Sequence, residues 1–167
     1  PLAKPMGYHD GQILSGNPLE GVIHFRENGL IFEADPIRGQ KTGFFLDQRE
    51  NRALVGELAR GKRVLNVFSY TGGFSLYAAK GQASEVTSLD ISQPALDGAA
   101  RNFDLNPAVT RHVAHHLLKG DAFEVLAELH NEGKQYDVVI IDPPSFAKRQ
   151  SEVNRAIAAY ARLTRLG

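Results

Sequence analysis

The 167-residue chain contains no cysteine. Disulfides and thiolate metal sites are thereby excluded, as is a cysteine nucleophile contributed by this stretch of protein. It also lacks an apolar run approaching the roughly 18 residues of a membrane span, and Pro1 to Gly7 lack the apolar stretch of a signal peptide, which predicts a cytoplasmic location. Net charge is missing too: 19 Lys and Arg are balanced by 19 Asp and Glu. No global field therefore draws the chain onto nucleic acid or an anionic membrane, and any RNA contact must come from a local surface. Internal repeats and low-complexity segments are absent. What is present is a 43% hydrophobic composition, enough for one domain with a core. A start at Pro1 without an initiator methionine and an end at Gly167 directly after a helical pattern predict a piece of a longer protein.

Residues 1–20 carry scattered Pro and Gly with little periodicity and read as irregular. From Gly21 the pattern changes: Val22, Ile23 and Phe25 precede Asn28-Gly29, and Leu30, Phe32 and Ala34 follow in alternation, which predicts a β-hairpin over about 21–35. Leu46, Leu54, Val55, Leu58 and Ala59 recur at near-helical spacing up to a stop at Gly61, which predicts an amphipathic helix. Strands over 64–69, 85–90, 113–118 and 137–141 then alternate with helices over 73–80, 93–105, 121–131 and 151–165. Such alternation implies an α/β fold with a parallel sheet and helices on both faces. The run Val138-Val139-Ile140-Ile141 is apolar throughout, as expected of a strand buried on both faces, and predicts a central position. No later segment covers its far side, so the sheet is expected to be C-terminally incomplete. An uncovered apolar edge recruits another strand, supplied either by a second copy or by the missing C-terminal half of the same polypeptide.

In an open parallel sheet, ligands sit outside the carboxyl ends of the strands. Those positions carry distinctive residues here. The first strand is followed by Phe68-Ser69-Tyr70-Thr71-Gly72-Gly73-Phe74, whose paired glycines let backbone approach a ligand and start a helix. The second ends at Asp90, an acid placed to take both hydroxyls of an adenosine ribose. Gly120-Asp121-Ala122-Phe123 follows the third, and Asp142-Pro143-Pro144-Ser145-Phe146 the fourth. Each has a plainer reading as turn or helix-cap chemistry, but turn chemistry alone does not require acids after three successive strands. Together they predict an adenosine-containing ligand.

A dinucleotide site wants G-x-G-x-x-G to admit a pyrophosphate, whereas Asn66 to Phe74 offers only Gly72 and Gly73. S-adenosylmethionine carries a sulfonium and an amino-acid tail rather than phosphates, so a polar loop with Ser69, Tyr70 and Thr71 suits it better. The Asp-Pro-Pro run leaves carbonyls and the Asp142 carboxylate to receive hydrogen bonds from a planar base, on which Phe146 could stack.

Four strings carry a specific resemblance: the segment from Gln40 to Arg49, the segment from Val64 to Phe74, Thr87-Ser88-Leu89-Asp90-Ile91-Ser92, and Asp142 to Phe146. They resemble the 23S ribosomal RNA cytosine-5 methyltransferase family, over about Gly21 to the C-terminus. The resemblance implies a Rossmann-like class I methyltransferase sheet that follows an N-terminal RNA-binding PUA domain and a β-hairpin region. On that basis residues 1–40 form an irregular segment plus hairpin, and 41–167 the N-terminal part of an S-adenosylmethionine-dependent domain. It further implies that Lys41 to Arg49, through Thr42, Gln48 and Arg49, closes over S-adenosylmethionine. The loop residues Asn66, Phe68, Ser69, Tyr70, Thr71 and Gly72 would cradle its methionine part, Asp90 would hold its ribose and Asp121 with Phe123 contact its adenine, with Ile91, Ser92 and Ala122 also binding the cofactor. Asp142, Pro143, Pro144 and Phe146 would face the target base of 23S ribosomal RNA. The family's nucleophilic cysteine lies in a Ser-Cys-Ser-like string that this chain does not contain. Because attack at carbon 6 by a thiolate is what makes carbon 5 nucleophilic, these 167 residues are expected to bind cofactor without completing that reaction.

Two alternatives stand beside this reading. Methylation of an exocyclic amine or a guanine nitrogen needs no cysteine, and Asp-Pro-Pro followed by an aromatic resembles amino methyltransferase loops. A degenerate, non-catalytic scaffold is the other, against which the intact acids argue. His112, His115 and His116 invite a metal reading, but strand alternation puts His112 and His116 on one face and His115 on the other, so a structural role is favoured. Lys148, Arg149, Arg155, Arg162 and Arg165 offer either a basic rim for RNA phosphates or a solvated helix face opposite Val153, Ile157, Tyr160 and Thr164. Phe44 and Phe45 are candidates for core or cofactor lid.

Overall fold

The computed structural model describes Gly7 and residues 12–13, 15–19, 21–37, 39, 43–147 and 149–167. The chain divides into two compact units, Pro1–Leu46 and Asp47–Gly167. In the first, β1 (Ile23–Glu27) and β2 (Leu30–Ala34) pair antiparallel with Phe25 opposite Phe32. The turn between them has positive φ at both Asn28 (49°) and Gly29 (83°), which is the backbone handedness that matches the twist of the flanking strands and explains the Asn-Gly pair. Phe44 is buried, its ring centroid 4.8 Å from those of both Phe25 and Phe32. Phe44 is thus a core residue of the hairpin unit.

A 3-10 turn at Leu46–Gln48 leads into the second unit, which continues with α1 (Arg49–Leu58), β3 (Arg63–Val67), α2 (Gly73–Lys80), β4 (Glu85–Asp90) and α3 (Gln93–Asp104). A short α4 (Pro107–Thr110), β5 (Ala114–Lys119), α5 (Ala122–Asn131), β6 (Val138–Ile141), a 3-10 turn at Gln150–Glu152 and α6 (Val153–Leu166) complete it. The strand order is β5-β4-β3-β6, all pairs parallel. The chain steps outward from β3 through β4 to β5 and then returns to the other side of β3. Strand order therefore reverses between β3 and β6, and the crevice at their carboxyl ends is where open α/β sheets bind ligands.

Alternation sorts the sheet residues by face. Leu65, Val67 and Leu89 join Ala122 and Leu126 of α5 and Leu163 of α6 in one core cluster. Val64, Asn66, Val86 and Ser88, on the opposite face, are also buried. Several expectations need correction. β6 is an edge strand among the described residues, paired only with β3, and all four of its residues are half-buried. The face of α1 that packs is not its leucine stripe: Leu54 and Leu58 are exposed, while Arg52 and Ala59 are buried. Arg52 sets its guanidinium over the Tyr77 ring of α2 at 6.0 Å. A side-chain carbon at Gly81 would overlap the Gly56 carbonyl, so two glycines bring α1 and the end of α2 together and rotate the leucines outward. In α6 the buried residues are Ala156 and Leu163, with Ile157 and Tyr160 exposed. His112 precedes β5 rather than sharing a strand face with His116.

Candidate functional site

The loop from β3 to α2 has an unusual backbone. Phe68 (φ 60°), Tyr70 (φ 48°) and Gly72 (φ 74°) all lie in the left-handed region, where bulky residues are held only if their surroundings over-determine them. The restraints are visible. Ser69 N donates to the Leu89 carbonyl at 2.9 Å, Tyr70 N to Asp90 Oδ2 at 2.8 Å, and Gly72 N to the Ser69 carbonyl at 2.9 Å. Asn102, buried on α3, donates from Nδ2 to the Thr71 carbonyl at 2.9 Å. A Cβ on Gly72 would stand 2.8 Å from Ala99 Cβ, and one on Gly98 would stand 3.0 Å from Thr71 Cγ2. Small residues on α3 thus let the loop lie against that helix.

Asp90 is the centre of this arrangement. Its Oδ2 takes Tyr70 N–H and its Oδ1 takes Ser92 N–H at 2.9 Å, so one carboxylate ties the ends of β3 and β4 together. A carboxylate has about four acceptor positions, and two remain for a ligand's hydroxyls. Ser92 separately caps α3, its Oγ accepting from Ala95 N at 3.4 Å. Ile91 beside them is 68% exposed, an apolar surface at a polar strand end. At the end of β5, Gly120 N donates to the Asp90 carbonyl at 3.1 Å, which brings the third strand end into the same cluster. Asp121 caps α5 by accepting from Phe123 N at 2.8 Å and Glu124 N at 3.4 Å. Ala122 is buried in the core under α5, so its side chain serves packing.

Across the crevice, Gln48 Nε2 donates to Asp142 Oδ2 at 3.2 Å. Two predicted residues separated by most of the unit's sequence are thereby brought together. Phe146 sits among aromatic rings, with centroids 4.9 Å from Tyr160, 6.1 Å from Phe123 and 6.4 Å from Phe68. Arg162 lies over one ring of that group, its guanidinium carbon 5.0 Å from the Phe123 centroid. Asp142 and Pro144 are exposed, and Pro143 is half-buried. Arg49 is not drawn in: its Nε pairs with Glu50 at 2.9 Å in solvent. Thr42, Lys41 and Lys148 lie outside the described residues.

The model of the S-adenosylmethionine-dependent methyltransferase family matches residues 7–166. The chain belongs to this family. Among curated relatives, a ribosomal RNA large subunit methyltransferase of Deinococcus radiodurans is 54% identical over 165 residues, covering 99% of this chain and 40% of that protein. Ribosomal RNA large subunit methyltransferase I of Shewanella denitrificans is 41% identical over 152 residues, 86% of this chain and 38% of that protein. The chain thus spans about two fifths of these relatives (40% and 38%). Among solved structures, a methyltransferase complexed with SAH superposes with a TM-score of 0.73 at 36% identity, over 83% of this chain and 36% of that one. A SAM-dependent methyltransferase of Streptococcus mutans gives 0.73 at 32% identity, over 87% and 40%.

The family's cofactor is S-adenosylmethionine, and the site fits it. Two buried polar atoms at the β3 end, Asn66 Oδ1 and Ser69 Oγ, have no partner among the described residues. Buried polar groups are normally paired, so a ligand that supplies donors there accounts for both. The Asp90 carboxylate and the exposed Ile91 suit a ribose and a flat heterocycle. Sequence reasoning missed Asn102 and Ser75, took Ser88 only as part of a resemblance string, and weighed His115 only as a metal ligand or a structural residue. The available signal was a polar residue on an apolar face: Asn102 falls at helical spacing with Leu96, Ala99 and Phe103, and Ser88 lies among Val86 and Leu89.

Proposed function

We propose that these residues form the cofactor-binding part of a ribosomal RNA methyltransferase, with residues 41–167 as the N-terminal part of its catalytic domain and carbon 5 of a cytosine in 23S ribosomal RNA as the target. The observation that carries the reading is the Asp90 clasp, which joins the left-handed β3 loop to the β4 end beside two unpartnered buried acceptors. Bound S-adenosylmethionine supplies an electrophilic methyl group on a cationic sulfur. The chain's own residues bind and orient. Asn66 to Gly72 hold the amino-acid end, Asp90 and Ser92 the ribose, and Ile91, Asp121 and Phe123 flank the adenine.

Asp142, held by Gln48, with Pro143 and Pro144 beyond the β6 end, receives hydrogen bonds from the base edge, and Phe146 backs that surface. The thiolate that cytosine chemistry demands at carbon 6 comes on this reading from protein outside residues 1–167. The 54% identity to a large subunit methyltransferase supports the RNA substrate. Calorimetry of the full-length protein with S-adenosylmethionine, followed by mass spectrometry of 23S ribosomal RNA from a strain lacking the gene, tests both halves. Cofactor binding with one lost 5-methylcytosine is the expected result. A lost methyl on an exocyclic amine or ring nitrogen would replace the cytosine assignment, and absence of cofactor binding would sink the reading as a whole.

A further inference from the structure

A chain of hydrogen bonds crosses the sheet face beneath α2. Asn66 Nδ2 donates to Ser75 Oγ at 2.9 Å, Ser75 Oγ and Ser88 Oγ are 2.7 Å apart, and Ser88 Oγ lies 2.9 Å from His115 Nε2. Asn66 is 1% exposed, and Ser75 and Ser88 are fully buried. The His115 ring is stacked on Phe103 of α3, centroids 3.6 Å apart and planes within 14°. At the opposite end of the chain of bonds, Asn66 Oδ1 is buried without a partner, as is Ser69 Oγ. Buried polar groups are normally paired, so an acceptor left over beside a ligand-binding loop is one that a bound donor can satisfy.

Proton counting connects the two ends. Each serine hydroxyl has one proton to give. With Nδ2 donating to Ser75, the acceptor in reach of the Ser75 proton among the described residues is Ser88 Oγ and that of the Ser88 proton is His115 Nε2, so every proton is paired when the imidazole is neutral and protonated on Nδ1. The opposite order starts from a protonated Nε2, runs through Ser88 and Ser75 to Asn66 Oδ1, and leaves the amide NH2 facing the loop. Nδ1 hydrogen-bonds no described residue, so the orientation of the Asn66 amide, with Nδ2 donating to Ser75, is what selects the first order. Burial and the neighbouring His116 lower the His115 pKa to about 4, which keeps the ring neutral and able to accept at neutral pH.

We propose that His115 is a positioning residue for the cofactor: by ending the relay as an acceptor through Nε2, it holds the Asn66 amide with Oδ1 presented to the β3–α2 loop, ready for a donor on the amino-acid end of S-adenosylmethionine. His115 itself touches no cofactor and acts through Ser88, Ser75 and Asn66. This rests on the assignment of that loop to the amino-acid end. It also makes the loop selective, because an ammonium satisfies Oδ1 whereas an acceptor in its place leaves Asn66 unpaired.

The test uses full-length protein and S-adenosylhomocysteine, which retains the same ammonium. His115→Phe keeps the ring stack and removes the acceptor, Ser88→Ala cuts the relay, and His115→Gln keeps an acceptor. Calorimetry is expected to show about tenfold weaker binding for His115→Phe and Ser88→Ala, the loss of roughly one hydrogen bond, and near-unchanged binding for His115→Gln. Histidine nitrogen NMR of the wild-type complex is expected to show Nδ1 protonated and Nε2 bare. A folded His115→Phe with wild-type affinity, or a protonated Nε2 in the complex, overturns the proposal while leaving the cofactor reading in place. If His115→Phe does not fold, the wild-type tautomer alone decides. No binding by the wild-type protein overturns the cofactor reading, and this proposal falls with it.

Discussion

Replacing Asp90 by alanine should uncouple two strand ends at once. The carboxylate accepts from Tyr70 N at 2.8 Å and Ser92 N at 2.9 Å, and hydrogen bonds to a charged group contribute about 1.5–3 kcal/mol each. Asp90 is half-buried, so water replaces part of what is lost and the lower end of that range applies. The expected loss of folding stability is about 2–3 kcal/mol. Tyr70 adds to the effect, because its left-handed backbone (φ 48°) loses the contact that holds it there and the loop relaxes toward commoner conformations. Cofactor binding should suffer on two counts, from ribose hydroxyls left without their acceptor and from a loop no longer preorganised. Affinity is expected to fall by roughly 10- to 100-fold, at about 1.4 kcal/mol per decade. Urea denaturation gives the first quantity and calorimetry with S-adenosylhomocysteine the second, both on the full-length protein. Asp90→Asn sharpens the result: it keeps the shape but turns one acceptor into a donor facing an N–H. Wild-type stability and affinity in Asp90→Asn would refute the clasp.

Four further outcomes are expected. Gly72→Ala places a Cβ 2.8 Å from Ala99 Cβ at a φ of 74° and should cost about 1–3 kcal/mol in thermal or urea unfolding; an unchanged midpoint would show that the loop can move. Leu163→Ala empties a fully buried position in the α5–α6 core and should cost about 2–5 kcal/mol, read by the same denaturation. Asp142→Ala in the full-length enzyme should leave cofactor affinity nearly intact while cutting turnover, and equal loss of both would move Asp142 into the cofactor pocket.

The fourth outcome concerns pH. Because the folded-state pKa of His115 is lowered from 6.5 to about 4, the unfolded chain binds the extra proton between those values. Its contribution, about 3 kcal/mol, is present above pH 6.5 and lost progressively as pH falls toward 4. Urea midpoints of wild type and His115→Gln should converge over that window, and parallel pH profiles would contradict it.

The residues at the strand ends were legible because their spacing is local. Asn28-Gly29 between alternating apolar residues specifies a hairpin turn, and an acid or glycine pair after each apolar run marks a strand end. Leu89-Asp90 and Asp142-Pro143 could be read this way without knowing how the strands were ordered. The packed faces of α1 and α6 were not legible. Leucine periodicity pointed to Leu54 and Leu58, but the close approach of Gly56 to Gly81 buries Arg52 instead. The four-residue α4 was too short for any periodic signal, with only Pro107 in its first turn to mark it.

The order of the strands was decided by tertiary structure. An apolar run specifies burial but not which neighbours supply it, and β6, read as central, pairs only with β3 among the described residues. The same holds for the partners of single side chains. Asp90 as ribose acid and Asp90 as clasp are identical in sequence, and only the fold puts Tyr70 N–H within 2.8 Å. Gln48 and Asp142 meet across 94 positions, and Asn66, Ser75, Ser88 and His115 join into one relay because parallel pairing and a crossover helix stack them on one sheet face. Sequence alone determined the kinds of groups at the strand ends, since residue type and local spacing are properties of the chain. Their partnerships arose from long-range packing, which depends on every element at once.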